Sequence, residues 1–222
     1  MGIAGGPNII ENSLLLGLDA SDKNSYISGS STWYDMSGNS INGTLTNGST
    51  FSSDNGGSIV FDGTDDYVQM TITSTNIQTS GPLTLSCWMY RNGNNNGMIF
   101  SAGGYYGLFA GGTFWYWNNN PNWVYYYCPG TIPSNSWCHY CLTFDGSSNP
   151  IFYINGVSYT STGTFTAPSA FGSSILRMGE YSVYTPYSPF SGKISNYSFY
   201  NRALPASEIQ QNYNALKSRF NL

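Results

Sequence analysis

Charged side chains are scarce in this chain of 222 residues. They make up 8% of the sequence, with 7 Lys and Arg, 11 Asp and Glu, and a formal net charge of −4. An average soluble domain carries about 25% charged residues. Binding to nucleic acid depends on clustered cations that displace counterions from the phosphates. So few and scattered basic residues therefore argue against a nucleic-acid partner.

Long apolar runs are missing as well. No stretch approaches the roughly 20 apolar residues that a bilayer-spanning helix needs, so we expect no membrane insertion. The first residues also lack the basic region of a signal peptide, and the apolar run at 14–16 is too short for its core. We therefore see no signal peptide, and expect either synthesis in mature form in the cytoplasm or earlier removal of a leader.

Histidine and cysteine are too few to build common catalytic or metal sites. His139 is the only histidine, so every base-activated triad would depend on it. Cys138 and Cys141 have a redox-like spacing, but on a strand residues i and i+3 point to opposite faces. We predict that these two cysteines, together with Cys87 and Cys128, are free thiols. No cofactor motif is seen.

Uncharged polar residues and aromatics replace the missing charge. Aromatic residues make up 17% of the chain, with 19 Tyr, and 26 Gly accompany many Asn, Ser and Thr. Short alternating segments are separated by turn formers, which is typical of a β-sandwich or jelly roll. One helix is predicted near 206–218, with Ile209, Tyr213 and Leu216 on one face. We expect an N-terminal arm at 1–11 and one domain at 12–222.

An aromatic hairpin with a polar tip is the main candidate for a binding site. Aromatic side chains alternate between two faces on both predicted strands, 114–117 and 123–127. One face must pack on the core, and the other could present ring planes to sugars while Asn amides bind hydroxyl groups. The alternative is that the rings serve core or interface packing. The candidate ligand-binding residues are Trp115, Trp117, Asn118, Asn119, Asn120, Asn122, Trp123, Tyr125 and Tyr127.

Several short motifs occur in an order that resembles one family. They are WCH at 137–139, TFDG at 143–146, YING at 153–156, FDGTDDYV at 61–68, LTLSCW at 83–88, LRMG at 176–179, FSGKI at 190–194 and FYNRAL at 199–204. The chain is similar to the laminin-G-like jelly rolls of the concanavalin A-like lectin/glucanase superfamily, over roughly residues 13–216. The resemblance implies an all-β, antiparallel two-sheet sandwich with one short C-terminal helix. It also places His139 in a core strand, where we expect a structural role.

The resemblance also bears on catalysis and on metal binding. Laminarinase-type relatives use an E-x-D-x-x-E motif, which this chain lacks; its glutamates are Glu11, Glu180 and Glu208. A glycoside hydrolase is therefore disfavoured, because retaining hydrolysis needs a close carboxyl pair.

Relatives of this kind often bind Ca²⁺ at a rim of the sandwich. Asp62, Asp65 and Asp66 are the weak candidates here, and hydrogen bonding within a turn is the favoured explanation for them. Ser195 stands where relatives commonly carry an aspartate, which weakens a cation site there. We expect no cofactor, with Ca²⁺ as the alternative.

The sequence thus leaves two main functional hypotheses. The first is a non-enzymatic binding or adhesion module that recognises a glycan or a partner protein. Domains of this appearance, polar and rich in Asn and Gly, resemble those on the virions of tailed phages. This resemblance implies a place on a virion surface, or outside the cell after cytoplasmic assembly. The second is a purely structural virion decoration or assembly protein that binds no glycan. Homo-oligomerisation through the arm at 1–11 belongs to both hypotheses.

Overall fold

The computed structural model is an antiparallel two-sheet sandwich with one α-helix, which confirms the predicted fold class. The structure describes residues 8–71, 81–103, 106–117, 123–167, 175–181 and 188–222, and of residue 117 only the backbone. None of the helices in these ranges has the length and apolar character to cross a bilayer.

Within the described ranges, sixteen strands and the helix follow one another along the chain. The strands are β1 (Leu14–Asp19), β2 (Thr32–Trp33), β3 (Gly43–Thr46), β4 (Thr50–Ser52), β5 (Ser58–Asp62), β6 (Tyr67–Thr71), β7 (Leu83–Arg91), β8 (Met98–Ala102), β9 (Tyr106–Phe109), β10 (Thr113–Trp117), β11 (Trp123–Tyr127), β12 (Trp137–Phe144), β13 (Ile151–Ile154), β14 (Val157–Thr160), β15 (Ile175–Met178) and β16 (Ser191–Tyr200). The helix α1 (Ala206–Leu216) is followed by a 3₁₀ turn, Lys217–Phe220.

The strands form two eight-stranded sheets. Sheet A has the order β14-β13-β12-β7-β16-β5-β4, and sheet B has the order β11-β10-β9-β8-β15-β6-β3-β2. The long strand β16 pairs with β7 along one edge, while β5 and β1 share its other edge. A register shift between Ile194 and Asn196 interrupts the pairing with β7.

The main core lies between the sheets and follows the two-residue period of the strands. In β12, Cys138 and Tyr140 belong to this core, whereas Cys141 belongs to a separate cluster on the outer face of sheet A. The two cysteines therefore point to opposite faces, as predicted. All four cysteines are free thiols, which confirms that prediction.

The helix and the 3₁₀ turn cover the outer face of sheet A. Trp88 on β7 stacks on Phe220, with ring centroids 4.2 Å apart, and on Tyr213 at 5.7 Å. Ile209 is fully buried in the smaller cluster on this face. The predicted helix and its apolar face are thus confirmed for Ile209 and Tyr213.

Arg219 fixes the end of the chain to sheet A. Its guanidinium donates to both carboxylate oxygens of Asp19, at 2.9 and 3.1 Å, and to the backbone carbonyls of Asn55 and Gly57. The guanidinium is planar and has five N–H donors. The four hydrogen bonds just named, two of them to a carboxylate, fix its position within the protein. The C-terminal turn is therefore held against β1 and the 54–56 turn.

His139 is a buried structural residue. Its Nε2 lies 2.8 Å from the Ser86 hydroxyl, its ring packs against Trp88, and its side chain has essentially no exposure. Burial lowers the pKa of His139 to about 3. A neutral, enclosed imidazole fits a packing role and offers no solvent-accessible base.

We predict that Trp88→Ala destabilises the domain by about 3–5 kcal/mol, because it removes the ring on which the helix and the C-terminal turn stack. Chemical denaturation measures the loss. Tyr34→Ala is the matched control, since Tyr34 is an exposed aromatic residue and its removal should cost under about 0.5 kcal/mol. Equal losses for the two variants would show that the helix docks without this stack.

We predict that His139 makes the fold less stable as the pH falls. The folded-state pKa lies below the unfolded value of about 6.5, so the unfolded chain binds the proton first. Stability should drop by up to about 1.4 kcal/mol per pH unit from pH 6.5 towards 3. His139→Gln removes this contribution, so the stability difference between wild type and variant should change with pH. Parallel stability curves above pH 4.5 would contradict the prediction.

Candidate functional site

The hairpin of β10 and β11 forms one edge of sheet B. The strands pair in register, with Phe114 opposite Tyr126 and Trp115 opposite Tyr125. Phe114, Tyr116 and Tyr126 are fully buried and belong to the main core. The hydroxyl groups of Tyr116 and Tyr126 lie 3.1 Å apart, and burial raises the pKa of Tyr116. This face of the hairpin is a packing face.

The opposite face carries a row of exposed aromatic side chains on β11, which we call the aromatic stripe: Trp123, Tyr125 and Tyr127. Their exposed fractions are 38%, 45% and 51%. Because they alternate with Val124 and Tyr126, all three project from the same side of the strand. On β11, therefore, one face packs in the core and the other is exposed, as the sequence predicted for the hairpin.

Trp115 departs from the prediction. It lies on the outward face but is only 6% exposed, so it cannot offer a ring plane to a ligand. Its ring meets Trp123 edge-on, with centroids 4.7 Å apart and planes at 84°, and it packs on Tyr181 at 5.6 Å. Trp115 thus supports the stripe from below.

Gly107 on β9 makes room for that support. Strand pairing places it directly beside Trp115, and a Cβ at this position would lie 2.5 Å from the indole ring. Only glycine lets the indole lie against the β9 backbone. The hairpin sequence alone could not reveal this contact, because Gly107 and Tyr181 lie on other segments.

The polar tip of the hairpin, at 118–122, lies outside the described residues. This applies to Asn118, Asn119, Asn120 and Asn122, and also to the side chain of Trp117. The candidate site as described therefore consists of Trp123, Tyr125 and Tyr127, with Trp115 beneath them.

The free edge of β11 is partly covered. The backbone of Tyr127 exchanges two hydrogen bonds with that of Thr162, at 3.0 and 2.9 Å. Gly163 follows, and a Cβ there would lie 2.8 Å from the carbonyl oxygen of Tyr125. This segment satisfies edge groups that would otherwise invite pairing with another strand. Ligand access is thereby directed to the rings of the stripe.

The three candidate aspartates do come together, in the turn between β5 and β6. Oxygen atoms of Asp62, Asp65 and Asp66 lie within 4.8 Å of one another. Asp66 Oδ2 accepts from the backbone N–H of Asp62 at 2.9 Å, and Asp62 Oδ1 accepts from that of Thr64 at 2.6 Å. These bonds close the turn locally, as the turn interpretation predicts.

One oxygen of this turn fits a cation. Asp66 is 3% exposed, and its Oδ1 is buried without a hydrogen-bond partner among the described residues. Burial, as the largest cause, raises the pKa of Asp66, and the neighbouring carboxylates add to the rise. The oxygens of Asp62, Asp65 and Asp66 are hard donors of the kind that Ca²⁺ takes. The site is thus chemically suited to Ca²⁺, which would supply positive charge to offset the buried carboxylate.

Comparison with solved structures gives the same fold in several binding domains. The binding domain of Paraclostridial Mosquitocidal Protein 1 matches with a TM-score of 0.72 and 16% identity, covering 92% of this chain and 52% of that one. The binding domain of botulinum neurotoxin DC, solved with rat synaptotagmin II, matches at 0.70 and 14%, covering 93% and 52%. This chain thus spans about half the length of these toxin chains.

A third structure matches over nearly its whole length. It is domain 4 of AbnA, an extracellular GH43 arabinanase from Geobacillus stearothermophilus, solved in complex with arabinotriose. The TM-score is 0.69 at 19% identity, covering 90% of this chain and 98% of that one. At such identities the likeness establishes the fold. No curated protein sequence matches the chain.

A family profile matches residues 62–210, from the aspartate turn to the middle of α1. This range includes the strands from β6 to β16, which contribute to both sheets, and with them the hairpin and the segment that covers its edge. The match extends over more than half of the 222 residues. The chain belongs to the laminin-G-like family of the concanavalin A-like lectin/glucanases superfamily.

Proposed function

We propose that this domain is a non-enzymatic binding module that recognises a glycan or a partner protein through the aromatic stripe. The observation that carries the proposal is the row of Trp123, Tyr125 and Tyr127, exposed side by side on a strand whose other face is anchored in the core. Alternate residues of a strand are about 6.8 Å apart, so the stripe is roughly 14 Å long. That length suits an extended ligand.

The chemistry of the stripe favours an uncharged ligand. Aromatic faces bind the C–H faces of sugar rings and the apolar parts of peptides, while the Tyr hydroxyls donate and accept hydrogen bonds. Rings that are amphipathic and rigid contribute contact area at a low cost in entropy. Because only 8% of the residues are charged, the chain offers few groups for ionic recognition of a ligand.

The related folds support binding to either class of partner. The AbnA domain was solved with arabinotriose and the neurotoxin domain with synaptotagmin II. Both are parts of larger proteins. The residues of the present chain that could act as an acid or base also favour binding without catalysis. His139 is enclosed, and Asp62 and Asp66 are engaged in closing a turn. Binding without catalysis is the function that these features favour.

A second candidate is a structural role in a virion. The stripe would then be buried in an interface between subunits, and the arm at 1–11 would contribute to a homo-oligomer. The resemblance to tailed-phage virion proteins motivates this context, with the domain on the virion surface or outside the cell. Exposed apolar area on a monomer often marks an interface of this kind.

We predict that Trp123→Ala abolishes binding to the glycan or protein partner while lowering stability by under about 1.5 kcal/mol, because Trp123 is partly exposed. Binding is measured on a glycan array and by pull-down, and stability by chemical denaturation. Tyr34→Ala is the control, since Tyr34 has similar exposure outside the stripe. A loss of 3–5 kcal/mol for Trp123→Ala would identify the residue as core and end the proposal.

Two further results separate the candidates. A binding module should be monomeric and bind sugars or protein through the stripe. A structural protein should form oligomers that Trp123→Ala and Tyr125→Ala dissociate, as size-exclusion chromatography with light scattering would show. Incubation with laminarin and other polysaccharides should release no reducing ends. Release above the buffer level would contradict the non-enzymatic assignment.

We predict that the fold does not require Ca²⁺, because the turn at 62–66 is closed by its own hydrogen bonds. Addition of EGTA should shift the Tm by less than about 2 °C. A tightly bound ion at 1,000 times its Kd would add roughly 4 kcal/mol and raise the Tm by many degrees. A Ca²⁺-dependent rise that Asp65→Asn abolishes would instead establish the calcium site at this turn.

A further inference from the structure

A cavity of about 350 Å³ lies on the outer side of sheet A, away from the aromatic stripe. It is a half-open cleft that is bordered by β1 and β16, by the segment that precedes β1, and by the C-terminal end of α1. Small-molecule sites in proteins have volumes of roughly 300–1,000 Å³. The cavity is therefore large enough for a small organic molecule.

The floor of the cavity is open because one position of β1 lacks a side chain. Gly17 lines the cavity, and its backbone is fixed on both sides. Its N–H donates to Asp35 Oδ1 at 2.9 Å, and its carbonyl accepts from the N–H of Met36 at 2.8 Å. A Cβ at Gly17 would approach Leu14 Cδ2 to 3.1 Å. Even alanine would thus take space from the floor.

Asn196 lines the same floor from the neighbouring strand β16, where it pairs with Asp19. It is only 6% exposed, yet its side-chain amide makes no hydrogen bond with another described residue. Its amide atoms are not among the fully buried atoms that lack a partner, so they remain accessible from the cavity. Polar groups at such positions usually bond to another group or to water. A polar group of a ligand in the cavity would supply that partner.

The walls are held in place by polar contacts. The N–H of Ile10 donates to Asn212 Oδ1 at 2.7 Å, and the Tyr200 hydroxyl donates to the carbonyl of Ile10 at 2.9 Å. The side chain of Gln211 donates to the carbonyl of Asn8 at 2.8 Å. These bonds tie the segment before β1 to α1 and β16. The cavity between them is therefore preformed, which limits the entropy lost when a ligand binds.

The charges around the cavity have one sign. Two carboxylates line it, those of Glu11 and Asp19. Arg219 pairs with Asp19 and neutralises it, whereas the exposed carboxylate of Glu11 has no partner among the described residues. No lysine or arginine within those residues lines the cavity. The remaining lining includes Leu14 and Leu216; Leu18 also borders the cavity, but its side chain belongs to the main core.

We propose that this cavity binds a short aliphatic amine. The methylene groups of the amine pack against the leucines, and its ammonium group pairs with Glu11. The N–H groups of the ammonium also donate to the side-chain amide oxygen of Asn196. Apolar walls with one acceptor and one anionic partner match a cationic head on a short alkyl chain. A neutral alcohol would lack the ion pair, and a carboxylate would be repelled by Glu11. This site is separate from the proposed function of the stripe.

The proposal is tested by calorimetric titration with three matched probes: 1-aminobutane, 1-butanol and butyrate. We expect the amine to bind, the alcohol to bind at least about fivefold more weakly, and butyrate not to bind. Glu11→Gln should weaken amine binding by about fivefold without affecting the fold, since Glu11 is exposed. Asp145→Asn, in a turn outside the cavity, is the control and should leave the affinity unchanged.

A second variant tests the floor of the cavity. Gly17→Ala should fold, because the one tight contact of its Cβ is with the end of the Leu14 side chain, at 3.1 Å. It should weaken amine binding by at least about tenfold. Three outcomes would overturn the proposal: no binding of 1-aminobutane at about 10 mM, equal affinity for 1-butanol, or unchanged affinity in both variants. A Kd of about 10 mM corresponds to a binding free energy of about −2.7 kcal/mol. Loss of binding in the two variants with an intact Asp145→Asn control would support it.

Discussion

The packing of Phe114, Tyr116 and Tyr126 in the main core decides which side of the hairpin is exposed. Phe114 and Tyr116 meet Phe144 of sheet A at centroid distances of 6.0 and 5.7 Å. Because strand side chains alternate with a period of two, this packing turns Trp115 and Tyr125 outward. A one-residue change of register would bury the stripe and expose the packing residues. The candidate site thus depends on the same contacts that join the two sheets.

The fold was predictable from the sequence because its signals were local and consistent. Turn formers separate the strands, and the helix face of Ile209 and Tyr213 contrasts with polar neighbours. The exposed face of the hairpin was not predictable in this way. Both faces carry large aromatic rings, so the hydrophobic period is equally strong on either side. The choice is made by contacts with distant residues such as Phe144, which no local pattern reveals.

The same reason explains what the sequence missed around Trp115. The alternation predicted that Trp115 and Trp123 behave alike, yet one is buried and the other exposed. The difference arises from Tyr181, which packs on Trp115, and from Gly107, which leaves space below it. Likewise, the cavity beside Asn196 depends on the ends of three elements that are far apart in the chain. Sites of this kind become visible only when the topology is known.

The scarcity of charge has a structural counterpart. Each of the four salt bridges among the described residues joins two segments or closes a turn. The pairs are Arg219 with Asp19, Lys193 with Asp54, Arg202 with Glu208, and Arg177 with Glu180. With these acids engaged, and with Asp62 and Asp66 bonded within their turn, few charged groups remain to act on a ligand. Glu11 stands out because it is exposed and unpaired within the described part of the chain. If both proposals hold, the neutral stripe on sheet B and the anionic cavity on sheet A would take different ligands without competing for them.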